Sequence, residues 1–301
     1  MPSSPDQTLR CTASSRLVGE PLAGTAPTES AYLLVEYAGA WGRKAVAESR
    51  LPEEVRTALA GLHGVRVQLI RRHGGTSGPG IRVFTALVGP DRVEIETTVL
   101  DEATGLLDLD LAALAAGRSP GLTPYAGELL LVCTNGRRDL CCAELGRPVT
   151  AALSARWPEA TWETTHLGGH RFSATLLALP SAVTLGRLDP ESAVLAVEEL
   201  QAGRHPVGFS RGRAGVSAAA QVAQLHVVEQ TGYDELGDVV VVGERDGVVR
   251  LLADGSPWQV GVLSRQGPPR RASCGDETAK PGEVHEVVAA GPGTDTGPAS
   301  M

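Results

Sequence analysis

Two stretches of this chain repeat the same order of elements, and the repeat restricts the possible folds more than any other feature. An apolar run that ends in glycine occurs at 32–39 (YLLVEYAG) and again at 129–136 (LLLVCTNG). Each run is followed by a helix-like segment, by a strand-like run with a Gly-Gly loop and by a further strand-like run. Because a strand–helix–strand crossover joins parallel strands that helices cover, this order predicts an α/β fold. A diverged internal repeat explains the two stretches, and one continuous sheet without duplication is the alternative.

The paired segments define the predicted domain boundaries. The helix-like segments are 52–62 and 148–157, the strand-like runs are 65–75 and 160–170, and the further strands are 82–89 and 171–179. Each half has the size of a thioredoxin-like α/β unit, so we predict two thioredoxin-like halves at 10–118 and 119–203. One helix-like segment and three apolar runs predict a small C-terminal α+β appendage at 204–265. Proline, glycine and charged residues dominate 266–301, which predicts a disordered tail.

Composition narrows the classes of function. The formal net charge is −8 and the chain has no Lys/Arg block, which argues against nucleic-acid binding. No apolar run reaches the roughly 20 residues of a membrane helix, and the first residues lack the charged and apolar regions of a secretory signal. We therefore expect a cytoplasmic protein with no membrane partner. In that reducing compartment, the five cysteines are expected to be metal ligands, catalytic thiols or buried packing groups.

Three cysteines and two histidines are concentrated in one window of the second half. The segment 133–142 reads CTNGRRDLCC, and the segment 166–170 reads HLGGH. The first half has Glu36 where the second has Cys133, and it has no histidine after Gly75. Since open α/β sheets carry their sites at the carboxyl ends of parallel strands, the window predicts a site in the second half only. Two adjacent glycines disfavour a helix through HLGGH, which predicts a tight loop that approaches something bulky.

Four interpretations of this window are open from the residues alone. A structural zinc site suits two thiols and two imidazoles, but the spacing of the cysteines predicts an open loop rather than a zinc knuckle. A catalytic dithiol would use Cys141 or Cys142, although adjacent cysteines form only strained disulfides. Buried cysteines beside hydrogen-bonded histidines are the third interpretation. The fourth is an iron–sulfur cluster held by two thiolates and two imidazoles, the mixed ligation of Rieske centres.

The two segments together resemble the sucrase/ferredoxin-like family, which consists of thioredoxin-like ferredoxins with a C-x8-C…H-x-G-G-H signature. The resemblance covers most of the chain. Three further segments also look like family landmarks, namely 10–27, 210–215 and 272–275. The chain departs from the family at Asn135, where family members often have a histidine that is not an expected ligand.

The resemblance implies a cofactor and a function. It implies a [2Fe–2S] cluster bound by two cysteines and two histidines, namely Cys133, Cys142, His166 and His170, with Cys141 as the alternative to Cys142. Such a protein acts in one-electron transfer or redox sensing with an unknown redox partner, rather than as an enzyme with its own substrate. The alternatives are a thiol-dependent oxidoreductase that uses Cys141 or Cys142 and a zinc-stabilised structural module.

Other polar residues are candidates for tuning the site. Arg138 and Arg171 are expected to donate hydrogen bonds to the cluster or to bind an acidic partner, with a solvated or paired arginine as the alternative. Asp139 is expected either to orient a ligand histidine or to cap a loop. Cys11 and Cys274 lie near the two ends of the chain. They are expected to be ordinary buried or tail cysteines, and the alternatives are that they approach one another or act as redox-sensitive thiols.

Overall fold

The computed structural model describes residues 10–75 and 78–293, and these form six α-helices and fourteen β-strands. The helices are α1 (Cys11–Leu17), α2 (Glu53–Ala60), α3 (Leu111–Ala115), α4 (Leu140–Arg156), α5 (Pro190–Gln201) and α6 (Ala218–Thr231). The strands of a large sheet are β1 (Ala31–Glu36), β2 (Val65–Arg71), β3 (Ile81–Val88), β4 (Val93–Leu100), β5 (Thr123–Pro124), β6 (Leu129–Cys133), β7 (Thr161–Thr164), β8 (Leu176–Leu179), β9 (Val183–Leu185) and β10 (Ser210–Arg213). The strands of a smaller sheet are β11 (Val239–Arg245), β12 (Val248–Ala253), β13 (Ser256–Gln266) and β14 (Glu283–Pro292).

The large sheet has the strand order β10-β9-β8-β6-β7-β2-β1-β3-β4-β5. In the first half, β1 pairs parallel with β2 and antiparallel with β3, which pairs antiparallel with β4. In the second half, β6 pairs parallel with β7 and antiparallel with β8, which pairs antiparallel with β9. The two sets of four strands therefore share their order and relative directions. The mixed α/β class that the crossovers predict is confirmed.

Strands β2 and β7 join the two sets of strands at the middle of the sheet. They run antiparallel and pair at Ile70↔Thr164 and Arg71↔Glu163. After β7 the chain continues beside β2, and the Thr165 backbone N–H donates a hydrogen bond to the Leu69 carbonyl at 3.0 Å. This antiparallel pairing directs the HLGGH loop of the second half along a strand of the first half.

The strand sequences explain how the layers pack. Strands β1 (AYLLVE) and β6 (LLLVC) are buried at every position, as expected for strands that are covered on both faces. One apolar core includes residues of β1 and α2, and another includes residues of β6, α4 and α5. A third core spans both halves and contains Cys133 and Cys142. Within the described ranges, no helix has the length and apolarity that crossing a membrane requires.

Helix α4 is longer than the sequence predicts. The segment 148–157 is only its second half, because the helix begins at Leu140. Asp139 is the N-cap residue, and its side chain accepts a hydrogen bond from the Cys141 backbone N–H at 3.0 Å, which satisfies a donor of the first turn. Pro148 lies inside the helix, although proline in a sequence is more typical of a helix start. The two adjacent cysteines therefore lie on a helix rather than in an open loop.

The smaller sheet has the order β11-β12-β13-β14 and packs with α6 around its own apolar core. The helix and three strands predicted here are present, but β14 comes from residues for which the composition predicts a disordered tail. Strand β14 pairs antiparallel with β13, and Val284 is buried. The composition of the segment is misleading because proline and glycine on both sides dilute a short valine-rich run. Residues 294–301 of the predicted tail lie outside the described residues.

Candidate metal centre

The carboxyl end of β6 brings two cysteines of the second half together. Cys133 is the last residue of β6, and Cys142 lies in the first turn of α4. Gly146 is one turn further along the helix, and a Cβ atom there would lie 2.2 Å from the Cys133 carbonyl oxygen. Only glycine allows α4 to approach the end of β6 this closely. That approach keeps the Cys142 thiol beside the Cys133 thiol.

The loop after β7 brings His166 to the two thiols and places His170 beside His166, outside the group of mutually close ligand atoms. Ligand atoms of Cys133, Cys142 and His166 all lie within 4.8 Å of one another. The imidazole rings of His166 and His170 are 4.9 Å apart between centroids and tilted by 40°. In the part of the chain that the structure describes, Nδ1 of both rings is buried and has no hydrogen-bond partner. Buried polar atoms are normally paired, so these two nitrogens are available to coordinate a metal.

The two glycines of HLGGH give the histidine loop its shape. Gly168 has φ +89° and Gly169 has φ +67°, a left-handed backbone that side chains with a Cβ adopt only at a cost. A Cβ atom at Gly169 would lie 2.4 Å from Nη2 of Arg211. Arg211 is 1% exposed, and its Nη1 donates to the Gly168 carbonyl at 3.1 Å. The bulky group that the sequence predicts beside this loop is therefore a buried guanidinium.

Strand β2 of the first half holds the backbone of His166. The His166 carbonyl accepts hydrogen bonds from Nη2 of Arg66 at 3.1 Å and from Nε2 of Gln68 at 3.0 Å. Gln68 is in turn fixed because its Oε1 accepts from the hydroxyls of Thr164 at 3.2 Å and Thr165 at 2.8 Å. The first half, which contains none of the four predicted ligands, thus positions one histidine of the second half.

The pKa values of the two neighbouring thiols shift in opposite directions. A hydrogen bond with Cys142 is the main cause that lowers the pKa of Cys133 well below its usual value; His166 and the Leu167 backbone N–H also lower it, against the effect of burial. The hydrogen bond to Cys133 and burial raise the pKa of Cys142. Burial lowers the pKa of His170, against the attraction of Asp139. The pair therefore favours one thiolate beside one thiol, with His170 held in its neutral form.

Cys141 belongs to a second group of side chains. Its Sγ lies 3.6 Å from Sγ of Cys11 and 3.2 Å from Sγ of Cys274, and these last two sulfurs are 3.5 Å apart. Ligand atoms of these three residues and Asp139 all lie within 4.8 Å of one another. A hydrogen bond from Cys11 lowers the pKa of Cys141 to about 6, whereas burial raises the pKa of Cys274 to about 11. Of the two adjacent cysteines, only Cys142 lies with Cys133.

Asp139 lies between the two groups and caps α4. Its Oδ2 is 3.6 Å from Nε2 of His170, which is too long for a hydrogen bond. Burial raises the pKa of Asp139, but hydrogen bonds from the backbone and side chain of Cys274 outweigh it, and the pKa is lowered overall. Arg171, which was also a candidate for tuning the site, donates a hydrogen bond from its Nε to the carboxylate of Glu20 at 2.8 Å. Of the two roles expected for Asp139, the capping role is the one its contacts support.

An open groove of about 700 Å³ runs over the loop between β6 and α4. The arginines that line it are Arg43, Arg71, Arg137, Arg138 and Arg147. Among the described residues, only Arg71 of these has a carboxylate partner, Glu163 at 2.7 Å. The groove is therefore positively charged on a chain whose net charge is −8.

Sequence reasoning missed the buried charges that support the site. Glu163 on β7 is 5% exposed and accepts a hydrogen bond from Oγ1 of Thr134, the residue after Cys133, at 2.9 Å. Glu20 is 4% exposed and pairs with two arginines. Charged residues are usually exposed, so the sequence offers little signal for these roles. The one signal for Arg211 is its position in the glycine-rich segment SRGRAG.

Comparison with known proteins gives one finding. A family model described as Sucrase/ferredoxin-like matches residues 22–212. The matched range contains all four predicted ligands, whereas Cys11 and Cys274 lie outside it. No match was found among the curated proteins or among the solved structures.

Proposed function

Because the chain belongs to the sucrase/ferredoxin-like family, we propose that it is a [2Fe–2S] protein that transfers single electrons or senses redox state. The proposed ligands are two thiolates and two imidazoles, those of Cys133, Cys142, His166 and His170. The observation that carries the proposal is that the buried Nδ1 atoms of His166 and His170 have no hydrogen-bond partner in the described part of the chain, where two buried thiols and His166 also come together. Thiolate and imidazole are ligands that iron accepts in clusters of mixed ligation.

The donor set fits this group better than the other candidates. Histidines that are fully hydrogen-bonded in a core would have a partner at both ring nitrogens, and Nδ1 of His166 and of His170 has none within the described ranges. A catalytic dithiol made of Cys141 and Cys142 is disfavoured because the two side chains lie in different groups. A single zinc ion at the Cys133–His170 site is the second candidate, since two thiols and two imidazoles also suit tetrahedral zinc. We prefer iron because the chain belongs to the sucrase/ferredoxin-like family.

The residues of the site would determine how readily it accepts an electron. When bound, the cluster supplies a centre that takes up and releases one electron. Two neutral imidazoles in place of two thiolates remove negative charge from the donor set, which raises the reduction potential. With Nδ1 as the ligand atom, Nε2 lies on the far side of each ring and can hold or release a proton. The side chain of His170 is 14% exposed, and its Nε2 lies 3.6 Å from Oδ2 of Asp139.

We extend the proposal to the two halves of the chain, to the arginine-lined groove and to the cellular location. We propose that the repeated strand order corresponds to two thioredoxin-like halves, of which only the second keeps ligands. The arginine-lined groove beside the loop suits an acidic redox partner, because opposite charges guide encounter between electron-transfer proteins. We also propose a cytoplasmic location, where a reducing environment keeps thiolates available as ligands.

Spectroscopy of the full chain tests the proposal. The protein is purified without oxygen, and its visible absorption and low-temperature EPR are recorded before and after dithionite. We expect a red-brown protein with two irons and two sulfides per chain and a rhombic EPR signal after reduction. Cys142→Ser is expected to change or abolish the signal, whereas Cys141→Ser is the matched control and is expected to keep it.

Two outcomes would contradict the proposal. A protein that stays colourless after reconstitution with iron and sulfide has no cluster. A protein that carries one zinc ion and loses it in Cys142→Ser would have the zinc site instead. Loss of the signal in Cys141→Ser with retention in Cys142→Ser would exchange the roles of the two cysteines.

A further inference from the structure

The second group of side chains lies beyond the proposed cluster and has no part in it. It consists of Cys11 at the start of α1, Cys141 and its neighbour in space Asp139 at the start of α4, and Cys274 in the segment between β13 and β14. The four residues come from three segments, and each segment is more than a hundred positions from the next along the chain. From this convergence we propose a second metal site, which binds one zinc ion through three thiolates and one carboxylate oxygen.

The distances between the three sulfurs suit a single ion. They are 3.6, 3.2 and 3.5 Å. Zinc–sulfur bonds of about 2.3 Å at tetrahedral angles require sulfurs that are about 3.8 Å apart. Outward shifts of a few tenths of an ångström would therefore bring the three thiolates to ideal separations. An iron–sulfur cluster would distribute three thiolates over more than one iron atom and would need at least one longer separation.

A disulfide explains the group less well. Three thiols in mutual contact cannot all be paired, so one would remain as a free thiol. All three sulfur pairs lie at 3.2 to 3.6 Å, and no single pair is set apart as the natural partner of a covalent bond. A triangle of equal neighbours is instead the arrangement that one central ion requires.

Asp139 provides the fourth ligand. Its Oδ2 already accepts two hydrogen bonds, from the Cys274 backbone N–H at 2.8 Å and from Oγ of Ser273 at 3.0 Å. Its Oδ1 accepts only one conventional bond, from the Cys141 backbone N–H, and lies 3.6 Å from Sγ of Cys11. A carboxylate oxygen has two lone pairs, so Oδ1 retains one for the metal. The two hydrogen bonds to Oδ2 fix the orientation of the carboxylate, as the hydrogen-bond partners of metal ligands commonly do.

Contacts outside the group hold its three segments together. Oγ1 of Thr12 lies 3.4 Å from Sγ of Cys141. Oγ of Ser14 accepts a hydrogen bond from the Arg271 backbone N–H at 2.9 Å, which joins α1 to the segment that carries Cys274. The buried carboxylate of Glu20 accepts from Nε of Arg270 at 2.9 Å and joins the same two segments.

Charge and access also suit a metal. Three thiolates and a carboxylate around a divalent ion leave an excess of negative charge, and the guanidinium of Arg171 is close enough to Cys11 to attract it. The start of α4 adds the partial positive charge of a helix N-terminus, which favours thiolates. Cys274 and Asp139 line the open groove, so an ion can reach the group from solvent.

The proposed ion would have a structural function. It would connect the first helix, the helix that bears Cys142 and a segment near the end of the described chain. Because Cys11 and Cys274 lie outside residues 22–212, the site depends on segments beyond those that define the family match. This inference does not rest on the cluster, since none of its ligands is shared with the cluster.

Metal analysis of single variants tests the inference and separates it from the cluster. The full chain is purified without oxygen and with zinc present, and zinc and iron are counted per chain by mass spectrometry of the elements. We expect one zinc per chain in the wild type, less than a tenth of that in Cys141→Ser and Cys274→Ser, and unchanged zinc in Cys142→Ser. Replacement of zinc by Co²⁺ is expected to give the intense sulfur-to-cobalt absorption of a three-thiolate site in wild type and Cys142→Ser only.

The outcomes distinguish the two sites even if a variant is unstable. Cys274→Ser changes a residue near the surface, and its circular dichroism and iron content show whether the rest of the chain is intact. Zinc that is lost in Cys142→Ser and kept in Cys274→Ser would overturn the inference, because the ion would then occupy the cluster site. An intact mass two hydrogens lighter, together with no zinc after treatment with a reductant, would also overturn it.

Discussion

Cys141 and Cys142 are adjacent in the first turn of α4, and their thiols point into two different groups of side chains. Successive residues of an α-helix are rotated by about 100°, so neighbours cannot share one narrow site. Cys142 meets Cys133 and His166, and Cys141 meets Cys11 and Cys274. The start of one helix therefore contributes one thiol to each of two groups of side chains.

Loss of the Gln68 amide is expected to weaken the proposed cluster. Gln68→Met keeps the length of the side chain but removes the donor to the His166 carbonyl, and changes of this kind typically cost about 10-fold in metal affinity. The measurement is the rate at which visible absorbance decays in the presence of an iron chelator. Gln201→Met is the control, since Gln201 is exposed and bonded to Glu128. Equal decay rates for the two variants would contradict the positioning role of Gln68.

Gly169→Ala is expected to destabilise the protein more than Gly232→Ala, although both glycines have a left-handed backbone. Gly232 has φ +73° and nothing within 4 Å of an added Cβ, whereas Gly169 has φ +67° and the Arg211 guanidinium at 2.4 Å. Gly232→Ala should therefore cost only the left-handed backbone, about 1–2 kcal/mol. Gly169→Ala should cost roughly 2 kcal/mol more, because a buried guanidinium must move. Chemical denaturation of both variants measures the free energy of unfolding. Equal decreases in the two variants would mean that the Arg211 side chain moves away from the new methyl group at no cost.

Acid is expected to destabilise the chain through His205. Burial, and secondarily the charge of Arg213, lowers the pKa of His205 from 6.5 to about 4. Between pH 6.5 and 4 the imidazole of His205 is protonated in the unfolded chain but not in the folded chain. The free energy of unfolding is therefore highest above pH 6.5 and decreases as the pH falls to 4. The loss is about 3 kcal/mol. His205→Gln removes the titrating group, and the pH dependence of its free energy of unfolding should be flatter by that amount; parallel curves would refute the assignment.

The arginine groove is expected to accelerate electron transfer to anions. At low ionic strength, Arg137→Gln combined with Arg147→Gln should slow oxidation of the reduced protein by ferricyanide by roughly threefold to tenfold. The double variant Arg245→Gln, Arg250→Gln changes the same charge on the smaller sheet and serves as the control. Stopped-flow absorbance measures both rates. If both double variants slow the oxidation equally, the rate depends on the net charge of the chain and the groove has no special role.

Local patterns in the sequence predict much of the fold. The apolar runs of β1 and β6 and the Gly-Gly loop of HLGGH depend on near neighbours, and each is present. The parallel pairing of β1 with β2 and of β6 with β7 follows from the crossovers. The start of α4 is the main local error, because Pro148 resembles the beginning of a helix while the true cap is Asp139.

Long-range contacts are what the sequence could not predict. Cys11 and Cys274 are 263 positions apart and meet at 3.5 Å, and no periodicity or spacing relates them. The choice between Cys141 and Cys142 also depends on the direction in which α4 leaves the loop. The pairing of Glu20 with Arg171 and Arg270 involves three charged residues that look solvent-exposed when each is considered alone.

The junction of β2 and β7 makes the two halves unequal in a way that their common strand order conceals. Arg66 and Gln68 bind a carbonyl that lies 100 and 98 positions further along the chain. The first half thus shapes the HLGGH loop of the second half. The two halves are therefore not interchangeable: a polypeptide that began after residue 118 would contain every proposed cluster ligand and lack the strand that binds the His166 carbonyl.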